Sequence, residues 1–80
     1  MISAYILITM QPGKTDKAIK EMRKIENVAK ISIIAGEYHI VVRAQVKNLE
    51  ELLTVTDKLH VVDGITKTTT QIIEKEITLQ

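Results

Sequence analysis

The middle of the chain carries two apolar runs, Ile34-Ala35 and Tyr38–Val42, that are joined by Gly36 and Glu37. Glycine adopts backbone angles that other residues resist, so this pattern predicts a tight β-hairpin, with strands at residues 28–35 and 38–46. A segment with helical spacing lies on each side of the hairpin in the chain. The hairpin therefore limits how the remaining elements can be arranged.

Apolar residues recur at helical spacing before and after the hairpin. A first helix is predicted over about residues 14–26, after the break at Pro12-Gly13, with its apolar face formed by Ala18, Ile19, Met22 and Ile25. A second helix is predicted over 49–60, where Asn48 is the N-cap and Glu51 completes a capping box. Its predicted buried face consists of Leu49, Leu52, Leu53, Thr56 and Leu59.

Two further strands are predicted at residues 2–10 and 65–73, at the two ends of the chain. The resulting order, βαββαβ, is that of the ferredoxin-like fold, an α+β architecture with a four-stranded antiparallel sheet. Right-handed crossovers place both helices on one face of this sheet. The other face, with Tyr5, Leu7 and Val41, has no helix or strand left to cover it, which predicts a dimer packed sheet to sheet. The tail, residues 74–80, is expected to form a short edge strand or to dock on a partner.

Composition excludes several classes of protein. With 80 residues the chain forms a single domain, and its net charge of +1 provides no field for direct nucleic-acid or membrane binding. It has no cysteine, and no apolar run is long enough for a membrane span. A cytoplasmic protein is the expectation. Because 45% of the residues are hydrophobic, more than so small a core needs, the composition also favours self-association.

Residues with catalytic or metal-binding chemistry are sparse. The two histidines, His39 and His60, lie on different predicted elements, and no cluster has the spacing of metal ligands. The letters Gly13-Lys14-Thr15 lack the upstream glycine of a P-loop. We therefore predict no catalytic residues, no metal site, no cofactor and no enzymatic activity.

The hairpin tip and a threonine cluster are the remaining candidates for binding. Backbone groups at Gly36, the Glu37 carboxylate, the His39 imidazole and threonine hydroxyls could together bind the ammonium and carboxylate of a zwitterion. A purely structural interpretation fits the same residues. In that case Gly36 only forms the turn, Tyr38 belongs to the core and His39 is a surface strand residue.

Two motifs resemble those of one known family. Gly36-Glu37-Tyr38-His39, followed by an apolar strand, resembles the Gly-x-Tyr-Asp pattern of the Lrp/AsnC transcription regulators. The run from Gly64 to Ile73, Gly-Ile-Thr-Lys-Thr-Thr-Thr-Gln-Ile-Ile, is similar to the Gly-Val-x-x-Thr-x-Thr-x-Ile-Val pattern of the same family. The resemblance extends over nearly the whole chain. It implies a RAM (regulation of amino acid metabolism) domain spanning residues 1–80.

The resemblance implies a function as well as a fold. Family domains dimerise through the sheet, assemble into octamers or decamers, and bind amino-acid effectors between dimers. Transferred to this chain, the effector site would be formed by Gly36, Glu37, Tyr38, His39, Thr68 and Thr70. The chain would then sense an amino acid and modulate transcription regulators, including full-length Lrp/AsnC proteins with which it co-assembles.

Two departures from the family pattern qualify the transfer. The chain begins with a strand and has no helix-turn-helix, so it resembles a stand-alone RAM domain and DNA binding is not implied. His39 stands where the family usually has Asp. A cationic imidazole cannot accept a hydrogen bond from a ligand's ammonium group, as an Asp carboxylate can. The neighbouring Glu37 carboxylate is the group that could replace it.

Two other functions are compatible with the βαββαβ order. Small dimeric α+β-barrel enzymes, such as monooxygenases and isomerases, share it, but they need polar residues in a cavity between sheet and helices. A structural oligomer without a ligand is the second alternative.

Overall fold

A computed structural model describes all 80 residues and shows the predicted ferredoxin-like fold. The elements are β1 (Ile2–Met10), α1 (Thr15–Met22), β2 (Val28–Ile33), β3 (Ile40–Val46), α2 (Leu49–His60) and β4 (Ile65–Ile72). The four strands form one antiparallel sheet in the order β2-β3-β1-β4, so β1 and β3 are central. Neither helix is long and apolar enough to cross a membrane.

The core lies between one face of the sheet and the two helices. Alternate residues of the central strands are fully buried there, among them Ala4, Ile6 and Ile8 of β1 and Ile40 and Val42 of β3. Since side chains of a strand alternate between its two faces, this is the face expected from the sequence pattern. The helices contribute Ala18, Met22, Leu52, Val55 and Leu59. No polar or charged side chain is buried.

The first helix is shorter than predicted. It ends at Met22 instead of about residue 26, and the chain continues in tight turns in which Lys24 and Ile25 donate to carbonyl groups three residues back. Asn27 then adopts a φ of 71°, which a continuing helix does not allow. Ile25 is still packed against the core although it lies outside the helix. Its position in the sequence therefore continued the helical pattern of apolar residues.

The second helix has the predicted bounds but a different buried face. Asn48 caps it, since its side chain accepts from the backbone N–H of Glu51, while the Glu51 carboxylate accepts from the N–H of Lys47. Leu49 and Leu53, both predicted as buried, are 60% exposed, and Val55 is buried instead. The stripe centred on Leu52, Val55 and Leu59 faces the sheet, so Leu49 and Leu53 lie on its flank towards β4.

The sheet face opposite the helices carries Tyr5, Leu7, Val41 and Arg43, and we call it the helix-free face. Tyr5 is 38% exposed and Leu7 and Val41 are half-buried. No helix or strand covers it, as predicted. The tail does not form an extra strand; the Ile73 N–H donates to Ser3 O, and Glu76 then contacts Arg43 on β3.

Candidate functional site

The connection between β2 and β3 is a loop, residues 34–39, and not the predicted two-residue turn. Its ends are joined by a hydrogen bond from Ile34 N–H to the His39 carbonyl, 2.9 Å long. Gly36 has a φ of 153°, a conformation essentially restricted to glycine, although a Cβ atom there would contact nothing. Gly36 and Glu37 are exposed and Tyr38 is half-buried. Tyr38 and His39 thus belong to this hairpin loop, because β3 begins at Ile40.

His39 attaches the hairpin loop to the end of β1. Its backbone N–H donates to Ile8 O at 2.9 Å, and its ring Nδ1 accepts from the Met10 N–H at 2.8 Å. An aspartate at this position could accept from the same N–H, because its carboxylate oxygens lie as many bonds from Cβ as Nδ1 does. This contact gives a structural reason for His39 in place of the family's usual Asp, and it leaves Nε2 free to interact with other groups.

The threonines of β4 divide between the two faces of the sheet. Thr68 and Thr70 pair with the buried residues Ile8 and Ile6 of β1, so both point to the helix side, whereas Thr69 pairs with Leu7 and points to the helix-free face. Thr68 Oγ1 lies 2.8 Å from His60 Nε2, at the end of α2. Thr70 borders a shallow groove with Leu49, Leu52, Leu53 and Thr56.

Sequence reasoning missed His60 as a neighbour of this cluster. The signal was available, since only residues 61–64 connect α2 to β4. So short a connection requires the start of β4 to run back along the last turn of the helix. Thr9 was also missed; its hydroxyl lies 2.7 Å from that of Thr66.

The hairpin loop lies at the end of the sheet where β4 begins, but it does not meet Thr68, and Thr70 lies still further from it, paired with Ile6. Ile40, Ile8 and Thr68 are paired in one row across β3, β1 and β4. Two strand spacings separate the ends of this row, which is roughly 10 Å. Within one chain the six predicted site residues therefore form two separate groups, with β1 between them.

Gly64, the first residue of the second motif, has a structural role. It is buried with a φ of 95°, and a Cβ atom there would lie 2.6 Å from Lys14 Cβ, closer than real Cβ contacts allow. Its carbonyl accepts from the Gln11 N–H, and the preceding Asp63 forms a 3.0 Å ion pair with Lys14. The hydrogen bond and charge of Lys14 lower the pKa of Asp63.

No three side chains among the histidines, aspartates and glutamates are grouped so that they could hold a metal ion. The polar groups that the candidate residues and their neighbours offer are therefore backbone groups, hydroxyls, the Glu37 carboxylate and two imidazoles. These groups are hydrogen-bond donors and acceptors.

Comparison with known proteins identifies relatives over nearly the whole chain. The sequence model of the Lrp/AsnC ligand binding domain matches residues 3–79. An uncharacterised HTH-type transcriptional regulator of Pyrococcus horikoshii, PH0140, is 32% identical over 73 residues, which make up 90% of this chain and 46% of that protein. The chain thus spans about half the length of the curated relatives that it matches.

Solved structures share the fold. The crystal structure of TTHA0845 from Thermus thermophilus superposes with a TM-score of 0.90, at 24% identity, over 99% of this chain and 100% of that one. A feast or famine regulatory protein from M. tuberculosis, complexed with L-methionine, superposes with a TM-score of 0.84 at 24% identity, over 99% of this chain and 54% of that one.

Proposed function

The chain belongs to the Lrp/AsnC ligand-binding domain family, and we propose that it is a cytoplasmic, non-enzymatic sensing module that binds a small amino acid between dimers. All six of its elements contribute to one sheet-and-helix domain. The proposal therefore assigns residues 1–80 to a single domain for ligand binding and oligomerisation, with no DNA-binding unit among them. In this role the chain would modulate transcription regulators by assembling with them.

One observation carries the proposal. Ile40, which directly follows the hairpin loop, and Thr68 lie in one row of the sheet, roughly 10 Å apart across β1, and Thr70 lies one row further from the loop. Each group offers too few polar atoms to hold a zwitterion alone. An interface between copies could bring the loop of one against the threonines of another, so that the site is completed by assembly.

The groups present suit both ends of an amino acid. The exposed Glu37 carboxylate accepts hydrogen bonds from an ammonium group. Backbone N–H groups near Gly36, together with the Thr70 hydroxyl, donate to a carboxylate. Since His39 Nδ1 is engaged by Met10, the free Nε2–H of the neutral ring is a further donor.

Assembly is proposed in two steps. Copies first pair through the helix-free face, where Tyr5, Leu7 and Val41 remain partly exposed. Dimers then associate into octamers or decamers. A ligand held between dimers stabilises whichever assembly contains the complete site, so its concentration sets the population of the larger species.

The alternative of an α+β-barrel enzyme is less well supported. Such an enzyme needs polar side chains between sheet and helices, and this core has no buried polar or charged side chain. The alternative of a ligand-free oligomer has one observation in its favour. His39 Nδ1 and Thr68 Oγ1 are already hydrogen-bonded within the chain.

Native mass spectrometry with a panel of amino acids tests the proposal. L-methionine is the first to test, because the M. tuberculosis relative is complexed with it. We expect dimers and larger rings, with one amino acid shifting the distribution towards the rings. A monomer under all conditions, or rings that respond to no amino acid, would contradict the proposed sensing function.

A pair of matched variants locates the site. Thr70→Val removes the hydroxyl next to the groove, and Thr54→Val removes a hydroxyl on the outer side of α2 that bonds only to its own helix. We expect Thr70→Val to weaken the ligand response about tenfold, the value of one hydrogen bond, and Thr54→Val to leave it unchanged. Equal responses in both variants would exclude Thr70 from the site.

A further inference from the structure

Arg43 is a charged residue within the helix-free face and is already largely withdrawn from water. Its side chain is 21% exposed, and its guanidinium carbon lies 6.0 Å from the centre of the Tyr5 ring on the neighbouring strand. Its Nε is buried and has no hydrogen-bond partner. A surface that packs against Leu7 and Val41 would also have to cover this cation.

Glu76 supplies the opposite charge from the tail. Arg43 Nη2 donates to Glu76 Oε1 at 2.9 Å. The tail leaves β4 at Ile73, whose N–H donates to Ser3 O, and must extend over β1 for Glu76 to meet a side chain of β3. Beyond this ion pair, Ile77 and Leu79 are 71% and 86% exposed. The tail therefore lies at the helix-free face with its last apolar residues uncovered.

We infer that Glu76 is the counter-ion that permits Arg43 to be buried when a second copy packs on the helix-free face, so that the folded tail is part of the dimer interface. The inference rests on the proposed dimer. Two-fold packing places the same patch of each copy opposite itself. The opposing sheet would then bury both Arg43 side chains, and each Glu76 carboxylate keeps its own Arg43 from becoming an uncompensated buried charge.

The same ion pair should matter little for folding and much for association. In one chain Glu76 is 49% exposed, and surface ion pairs contribute little to stability. Between two sheets the pair is shielded from water. In that buried environment a cation that has lost its partner is strongly unfavourable. Removing the Glu76 charge should therefore weaken the dimer without unfolding the monomer.

Sedimentation equilibrium of matched variants tests this inference. Glu76→Gln removes the counter-ion, and Glu74→Gln removes a charge from the same tail that forms no ion pair. We expect Glu76→Gln to raise the dimer dissociation constant roughly a hundredfold or more, and Glu74→Gln to leave it unchanged. The double variant Arg43→Met/Glu76→Gln, which buries no charge, should return to within about tenfold of wild type.

The outcomes separate this inference from the proposed dimer. If Glu76→Gln dimerises as tightly as Glu74→Gln, the proposed role of Glu76 is overturned, although the dimer itself stands. If the double variant dimerises as weakly as Glu76→Gln alone, the role of Glu76 is overturned too. In that case an unpaired Arg43 charge would not be the cause of the weaker association. A monomeric wild type would remove the dimer and the inference together. Circular dichroism of each variant confirms that the fold is retained, and Arg43→Gln replaces Arg43→Met if that variant does not fold.

Discussion

The two faces of β1 differ in what covers their apolar residues. On one face Ala4, Ile6 and Ile8 are 0% exposed beneath the helices. On the other, Tyr5 is 38% exposed and Leu7 is only half-buried, although both are as apolar as a core requires. The hydrophobicity of this strand is thus divided between the core and a face that the helices leave open. The variants of Ile6 and Leu7 below test that division, and two further predictions concern contacts outside it.

The largest effect is expected on the helix side. Ile6→Ala leaves a cavity among fully buried neighbours and should lower the free energy of unfolding by about 2–5 kcal/mol. Leu7→Ala, the matched change on the other face, should cost the monomer less than about 1 kcal/mol. Urea denaturation at low protein concentration measures both. Equal losses would show that the two faces do not differ in this way.

Leu7→Lys should separate association from folding. A lysine on the helix-free face remains solvated in the monomer but is buried without a partner in a sheet-to-sheet dimer. We expect dimerisation to weaken at least a hundredfold, while the circular dichroism spectrum stays that of the wild type. Sedimentation velocity provides the measurement. A Leu7→Lys protein that still dimerises would show that the copies pair through another surface.

His39→Ala tests the attachment of the hairpin loop at the end of β1. The Met10 N–H loses its acceptor, which should lower the free energy of unfolding by about 1–2 kcal/mol. His39→Asp should lose less, because a carboxylate can accept from the same group. Thermal denaturation of the two variants distinguishes them. If both lose equally, the hydrogen bond to Met10 is not what stabilises this loop.

The smallest effect concerns the Lys14–Asp63 ion pair beside Gly64. The pKa of Asp63 lies below its usual value of 3.8, primarily because of the hydrogen bond from Lys14. A carboxyl group with a lowered pKa in the folded state stabilises the fold above its unfolded pKa and loses this contribution as the pH falls through the folded pKa. The melting temperature of Asp63→Asn should therefore be slightly below wild type at pH 7, and the difference should shrink as the pH falls below 3.8 and disappear once the pH is below the lowered folded pKa. A difference that persists there would point to another cause.

Much of the fold could be predicted from residue patterns. The strand predicted at residues 2–10 has the bounds of β1, and Asn48 with Glu51 marked the start of α2. The end of α1 was predicted wrongly, because Ile25 continues the apolar spacing after the helix has ended at Met22. Periodicity reports which residues are buried and not which hydrogen bonds the backbone makes.

The site was less accessible to sequence reasoning. The two glycines looked alike, yet Gly64 is required by its approach to Lys14, whereas Gly36 is required only by its backbone angle. The hydrogen bonds of His39 to Met10 and of His60 to Thr68 join residues that are distant in sequence or on different elements, and no local pattern indicates them. Whether the six site residues bind an effector remains a proposal.

Reciprocal linkage between ligand and assembly is the most direct test of the proposed site. If an amino acid is held between copies, its affinity for the assembled protein must exceed its affinity for the unassembled protein by the same factor, per site, by which it strengthens assembly. Calorimetric titration of the wild-type chain, with the amino acid selected by mass spectrometry, should give an apparent Kd that falls as the protein concentration is raised through the range where rings form. An apparent Kd that is independent of protein concentration across that range would contradict a site shared between subunits.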